Sequence, residues 1–334
     1  MLLSRFPRVR LAHLPTPLEH LPRLSQYLGG PQVYVKRDDC TGLATGGNKT
    51  RKLEFSMGQA VEQGADTVIT VGAVQSNHVR QTAAAAAKLG MSCEVLLEHR
   101  IKEPSDAYLN SGNVLLDRMF GAALHEYPGG TDFDAEMNAM AAALRESGKK
   151  PYIVPGGASN KVGALGYANS ALELINQATE QGIVIDRIVA ATGSAGTQGG
   201  LIAGLKALNS NVPLLGICVS IDAKAQEEKV FALATETADY LGAPGVVKRE
   251  DVVANSDYVG PGYGERTDEM NEAVMLLARL EGLLFDPVYS GKALAGLIDL
   301  VRKGELRDDE NIVFLHTGGS AALFAYADQL EFDV

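Results

Sequence analysis

Lys49 follows Gly46-Gly47-Asn48 at the expected start of a helix, with Arg51 and Lys52 within its first turn. A lysine amine attacks a carbonyl only when neutral, so such a role requires desolvation that depresses its pKa. The two glycines ahead of it let the backbone come close to a ligand. A second feature is "DRIVAATGSAGTQGGLIAGLKAL" (186–208), which reads as strand, glycine-rich turn and helix. Its Gly193, Ser194, Ala195, Gly196 and Thr197 present backbone N–H groups at a helix N-terminus, where unpaired donors and the helix dipole suit a phosphate. The spacing is G-x-x-G-x-x-G, so this is neither a Walker loop nor GxGxxG, and Asp222 is a weak ribose ligand at best. A tight turn that binds nothing is the plainer alternative. Ser76 is a natural helix N-cap, but a cap alone does not explain Ser76-Asn77-His78 in succession. Tyr263 in "GPGYG" and Tyr289 in "DPVYSGK" read singly as packing residues with a wet hydroxyl. His316 in "HTGGS" reads as structural. A phosphate cradle, one lysine and several hydroxyls together suit a pyridoxal 5'-phosphate (PLP) pocket, with other phosphate ligands left open.

These residues lie between alternating strand-like and helix-like segments. "VYVKRDD", "DTVITVG", "SCEVLLE", "PYIVPGG", "DRIVAATG", "PLLGICVS" and "ENIVFLHTGG" read as strands. "SNHVRQTAAAAAKLG", "DAEMNAMAAALRESG" and the segment from Gly47 to Gly64 read as helices. Short apolar strands alternating with helices predict α/β architecture with parallel sheets covered on both faces. In such sheets ligands bind beyond the C-terminal ends of the strands, where "TGGNK", "GAVQSNH", "ATGSAGTQGG" and "HTGGS" fall. The 334 residues suffice for two lobes, and no low-complexity linker separates them.

Composition narrows the partners. A net charge of −11 argues against a nucleic acid, whose affinity rests on cationic neutralisation. No apolar run reaches the ~18 residues of a membrane span, and Met1 to Arg10 lacks a signal-peptide core. Three scattered cysteines suggest reduced thiols and a cytoplasmic setting. The six histidines show no metal-binding spacing, so no metal is expected.

Six motifs in order, "KRDDCTGLATGGNKTRKLEF", "QSNHVRQTAAAAAKLG", "PGGASNKVGALGY", "ATGSAGTQGGL", "DPVYSGKALAGLIDL" and "HTGGSAALFAY", span nearly the whole chain. Together they resemble the 1-aminocyclopropane-1-carboxylate deaminase/D-cysteine desulfhydrase family. The resemblance implies the tryptophan-synthase-β-like PLP fold type II, with two open twisted, mostly parallel sheets flanked by helices. It implies a larger PLP-binding domain (1–49 and 163–334), an inserted smaller domain (50–162) and a homodimer. Lys49 would be the Schiff-base lysine, Lys52 a phosphate contact and Gly193–Thr197 the phosphate cup. Asn77 would bond the PLP phenolic oxygen, and Ser76, Asn77 and His78 would receive the substrate carboxylate. Ser76 would also shuttle a proton, Tyr263 and Tyr289 would flank ring and substrate, and Thr317 would face the pyridine nitrogen. Arg51 is expected to be an ordinary helix charge.

Within the family, cyclopropane-opening members carry glutamate and leucine where this chain has Ser290 and Thr317, so the resemblance is to the sulfur-eliminating branch. Ser290 is accordingly expected at the substrate. A neutral hydroxyl at the pyridine nitrogen implies a less electron-poor ring, which favours prompt expulsion of a β substituent over transamination. The expected reaction is α,β-elimination to pyruvate and ammonia. Segments such as "REDVVANSDYVGPGYG" are similar to L-cysteate sulfo-lyases, which release sulfite. D-cysteine desulfhydrases, which release sulfide, share the motifs but commonly have His where Gln198 stands. L-cysteate is therefore the expected substrate and D-cysteine the alternative. A non-catalytic PLP or amino-acid binding protein on the same fold is the alternative of a different class.

Overall fold

A computed structural model describes residues 2–332. Its strands form two sheets. The larger one contains β1 (Leu18–His20), β2 (Gln32–Arg37), β7 (Arg187–Thr192), β8 (Leu214–Cys218), β9 (Val253–Asn255) and β10 (Asn311–His316), in the order β1-β2-β10-β7-β8-β9. The smaller contains β3 (Thr67–Ala73), β4 (Ser92–His99), β5 (Ala123–Pro128) and β6 (Pro151–Val154), in the order β5-β4-β3-β6. Every pairing is parallel except β1 against β2. The two mostly parallel sheets expected from the motifs are the architecture found.

β10 is central to the larger sheet, with Phe314 opposite Val35 on one side and Val189 on the other. All three side chains are buried, as strands covered by helices on both faces require. The helix Lys49–Glu62 links the two cores. Phe55 packs with Leu165 and Ala168 beside the larger sheet, whereas Leu53, Met57 and Ala60 pack with Val68, Val79 and Val95 beside the smaller.

Three neighbouring helices approach one another in two pairs through glycines. A Cβ on Gly166, in the helix Lys161–Gln181, would stand 2.2 Å from the Arg51 carbonyl oxygen. One on Gly200, in the helix Gly196–Ala207, would stand 2.4 Å from the Ala164 carbonyl oxygen. The helices bearing Lys49 and the 193–197 loop are thereby held against a common third helix.

Arg51 departs from its expected role. Its side chain is buried, with Nη2 2.8 Å from both Asp38 Oδ1 and Glu173 Oε1. Lys36 Nζ reaches Glu173 at 2.6 Å, and the Tyr167 hydroxyl donates to Asp38. Against the penalty of burial, Arg51 and Lys36 hold the Glu173 carboxyl down to about 2. A buried cation with a full set of carboxylate partners fixes geometry, which is a structural role.

Candidate active site

The C-terminal ends of β2, β3, β4, β6, β7 and β8 feed the loops around one cavity of about 350 Å³. Lys49, Ser76, His78, Tyr263 and Tyr289 line it, together with Gly193 and Ser194. A narrower recess beside it is bounded by Asn48, Ala195, Thr197 and Thr317, and shares Lys49 and Tyr289.

Lys49 opens its helix, and its Nζ lies 3.0 Å from Asn48 Oδ1 and 5.4 Å from the centre of the Tyr289 ring. Desolvation lowers its pKa to about 8; the Asp286 carboxylate opposes the fall and Arg80 adds to it. The chain reaches this point through left-handed backbone at Gly46 and Gly47, and a Cβ on Gly47 would sit 2.6 Å from Gln81 Nε2. Gln81 Oε1 in turn accepts the Thr50 N–H at 2.9 Å, which fixes the first turn behind Lys49.

Across the site, Ala195 adopts φ 70° and turns the 193–197 backbone into the helix Gly196–Ala207. Ser159 Oγ donates to Ser194 Oγ at 2.8 Å, and Asn48 Nδ2 donates to Thr197 Oγ1 at 2.9 Å. Lys52 points here. Its buried Nζ has one long hydrogen bond, 3.4 Å to Ser159 Oγ, and lies 3.0 Å from where a Cβ on Gly196 would be. Burial, and secondarily Lys49, push the Lys52 pKa well below that of a free lysine. An ammonium group in this position lacks an anion that a phosphate at the helix terminus would supply.

Ser76 caps the helix Asn77–Leu89, its Oγ accepting the Val79 N–H at 3.3 Å. The N–H groups of Asn77 and His78 are the first two of that helix and have no intrahelical acceptor. The His78 ring is committed elsewhere, with Nε2 2.7 Å from Thr70 Oγ1 and Nδ1 3.4 Å from Thr82 Oγ1. Burial, then Lys49 and Lys52, depress its pKa far enough to keep it neutral. A charged imidazole is thus not on offer to a carboxylate, and the backbone N–H is what His78 presents. Asn77 Oδ1 accepts from Arg80 at 3.0 Å and from Asn113 at 3.1 Å, which directs its amide Nδ2 toward the Gly319 loop.

The Tyr263 and Tyr289 hydroxyls lie 2.6 Å apart with their rings edge to face. Burial raises Tyr289 to about 12, so its phenol stays protonated near neutral pH. Thr317 accepts the Asn48 N–H through its carbonyl at 3.0 Å and borders the recess. Ser290 does not reach the cavity. It is fully buried, and its hydroxyl donates to Asp286 Oδ1 at 2.6 Å within the loop that precedes the helix Ser290–Arg302. Asp222 caps the helix Ala223–Leu241 by accepting the Ala225 N–H, and no ribose role is needed to account for it. His316 stacks on Phe285 at 4.0 Å in the core.

Sequence reading passes over Arg80, whose guanidinium bonds Gly46 O, Asn77 Oδ1 and Asn113 Oδ1 and so joins the glycine loop to the start of the Asn77–Leu89 helix. It also passes over Arg100 and Lys229 at the cavity wall. The signal for Arg80 is its position inside an otherwise alanine-rich buried helix face.

The lysine, the helix-terminal loop with its buried second cation, and an open cavity between them fit PLP. A profile of the pyridoxal-phosphate dependent enzymes matches residues 9–318, and the chain belongs to that family. Its cofactor is accordingly PLP. Among curated relatives, a D-cysteine desulfhydrase of Salmonella typhi is 49% identical over 324 residues, 97% of each chain. The crystal structure of an ACC deaminase homologue superposes with a TM-score of 0.88 at 40% identity, covering 98% of this chain and 96% of the other. A T.th. threonine deaminase, at 22% identity and TM-score 0.64, covers 91% of this chain and 92% of its own, and shares the fold. Among the described residues no helix is long and apolar enough to cross a membrane, and no cluster of metal-binding side chains occurs.

Proposed function

We propose that this protein is a PLP-dependent carbon–sulfur lyase that eliminates sulfide from D-cysteine, giving pyruvate and ammonia. The observation that carries the reading is the 49% identity with D-cysteine desulfhydrases over 97% of both chains. The preference for L-cysteate drawn from short segments yields to this likeness, and sulfite release becomes the alternative.

When bound, PLP supplies the electron sink that makes the substrate Cα acidic. Lys49 holds the cofactor, and the 193–197 N–H groups with Lys52 hold its phosphate. Asn77 Nδ2 would bond the cofactor's phenolic oxygen, and Thr317, which borders the recess, would face its pyridine nitrogen. The N–H groups of Asn77 and His78 bind the substrate carboxylate at the helix N-terminus. The Lys49 amine, basic but easily neutralised at a pKa near 8, takes the Cα proton, with Ser76 as relay. Protonated Tyr289, steadied by Tyr263, donates to the departing sulfur. Ser290 serves by holding Asp286 in place. The homodimer expected from the resemblance is proposed with the rest, and sedimentation of the purified protein tests it.

The deciding experiment supplies D-cysteine, L-cysteine and L-cysteate separately and measures sulfide, sulfite and pyruvate. Sulfide and equimolar pyruvate from D-cysteine are expected, with turnover abolished in Lys49→Ala. Sulfite from L-cysteate without sulfide from D-cysteine reverses the substrate choice, and no pyruvate from any of them removes the enzymatic reading.

A further inference from the structure

The chain carries eleven more acidic than basic charges, yet the wall of the active-site cavity holds three cations, Lys49, Arg100 and Lys229, and no aspartate or glutamate. Lys49 is accounted for by the cofactor, and the substrate carboxylate by the N–H groups at Asn77 and His78. Arg100 and Lys229 have no assigned task.

They come from opposite sides. Arg100 follows the C-terminal end of β4 in the smaller sheet, and Lys229 lies on the helix Ala223–Leu241 beside the larger. The Arg100 guanidinium is centred 4.9 Å over the Tyr263 ring, and its Nε donates to Glu98, which lies outside the cavity wall. Lys229 Nζ reaches the Gly193 carbonyl at 3.3 Å, at the edge of the 193–197 loop. Desolvation lowers the Lys229 pKa, and the proximity of Arg100 lowers it further. Both side chains are solvent-exposed, and Arg100 is also paired with Glu98, so water screens their mutual repulsion, while an anion entering the cavity between them would meet positive charge from both sides.

We propose that Arg100 and Lys229 form a second anion subsite, which receives the sulfur end of the substrate and stabilises the negative charge gathering there as the Cβ–S bond breaks. The inference rests on the elimination reading given above. In that reaction the Cα–H electron pair becomes the Cα=Cβ bond, the proton passes to the protein, and the Cβ–S pair leaves on sulfur. As the Cβ–S bond breaks, sulfur becomes one charge more negative, hydrosulfide from a thiol or sulfite from a sulfonate, before the Tyr289 hydroxyl passes it a proton. Water then hydrolyses the released enamine to pyruvate and ammonia. Both substrates thus share one requirement, a cationic environment for sulfur, and a sulfonate meets it already in the ground state.

The test measures kcat/KM of the holoenzyme for D-cysteine, L-cysteate and β-chloroalanine of matching configuration, whose chloride leaves readily without cationic help. Lys229→Gln and Arg100→Gln are each expected to lower kcat/KM for the active sulfur substrate at least tenfold more than for β-chloroalanine, with Lys229→Arg restoring most of the loss. Arg100 lies over the Tyr263 ring whereas Lys229 is carried by a separate helix, so the Lys229 variant separates the anion effect from disturbance of the tyrosine pair. Binding of L-cysteate to Lys49→Ala protein, followed by calorimetry, should weaken at least tenfold on adding Lys229→Gln if the sulfonate is the anion. Unchanged binding with a selective loss on D-cysteine assigns the subsite to the departing thiolate. Equal losses on sulfur and chloro substrates, or no loss on either, overturn the subsite while leaving the elimination reading intact. Wild-type protein that forms pyruvate from none of the three overturns the functional reading and the subsite with it.

Discussion

The Lys49 amine occupies a position where burial removes part of the stabilisation water gives an ammonium ion, and a pKa near 8 is the result. The sign of the consequence is fixed by the direction of that shift. Below pH 8 the amine is mostly protonated and cannot attack; above it the neutral form dominates. Capture of PLP by cofactor-free protein should therefore accelerate about tenfold between pH 6 and 7 and level off above about 8. Stopped-flow absorbance across pH 6–10 checks this, and a midpoint near the 10.5 of a free lysine would remove the desolvation argument. Arg51, two positions on, shows why charge alone is a poor guide: it looks like any helix cation in the sequence, but its carboxylate partners Asp38 and Glu173 lie far off in the chain.

At the scale of elements, the placing of Lys49 against the 193–197 loop depends on the glycine contacts of the Lys161–Gln181 helix. Gly166→Ala would force a methyl group to within 2.2 Å of a backbone oxygen that has no rotamer by which to retreat. Destabilisation of about 3 kcal/mol is expected from such overpacking, measured by urea unfolding, with reduced PLP occupancy as the helices separate. The strands that flank the site are legible because each is a short apolar run ending in glycine and hydroxyl residues, as in "DRIVAATG" and "ENIVFLHTGG". β1 and β9, three residues each at sheet edges, and β5, none of whose residues is buried, carry no such pattern and escape a reading by sequence. The glycine loop, Lys49 and the Ser76 cap can be read locally. Ser290 cannot, because its alternative partner Asp286 satisfies its hydroxyl only once the loop is folded. Arg100 and Lys229 converge only in three dimensions.

For the whole molecule, we propose that 50–162 is the inserted lobe and that 1–49 with 163–334 is the larger one. The four strands of the smaller sheet all fall between 67 and 154, and those of the larger sheet come from either side of that interval. The proposal predicts different tolerance of truncation. A chain ended at residue 305 lacks β10 and should lose all PLP binding, while limited proteolysis still finds 67–154 protected and 187–218 cut. Protection of both segments would argue against the division.

The central position of β10 also bears on how the protein is made. The smaller sheet has all its strands once residue 154 has left the ribosome, and it can form while synthesis continues. β2 and β7, however, can pair only with β1 and β8, and each keeps one open edge until residues 311–316 emerge and fit between them. The nascent chain therefore carries the larger sheet in two unjoined parts from the completion of β7 at residue 192 until residues 311–316 emerge, and the last strand made is the keystone that joins the lysine's half of the site to the phosphate loop's half.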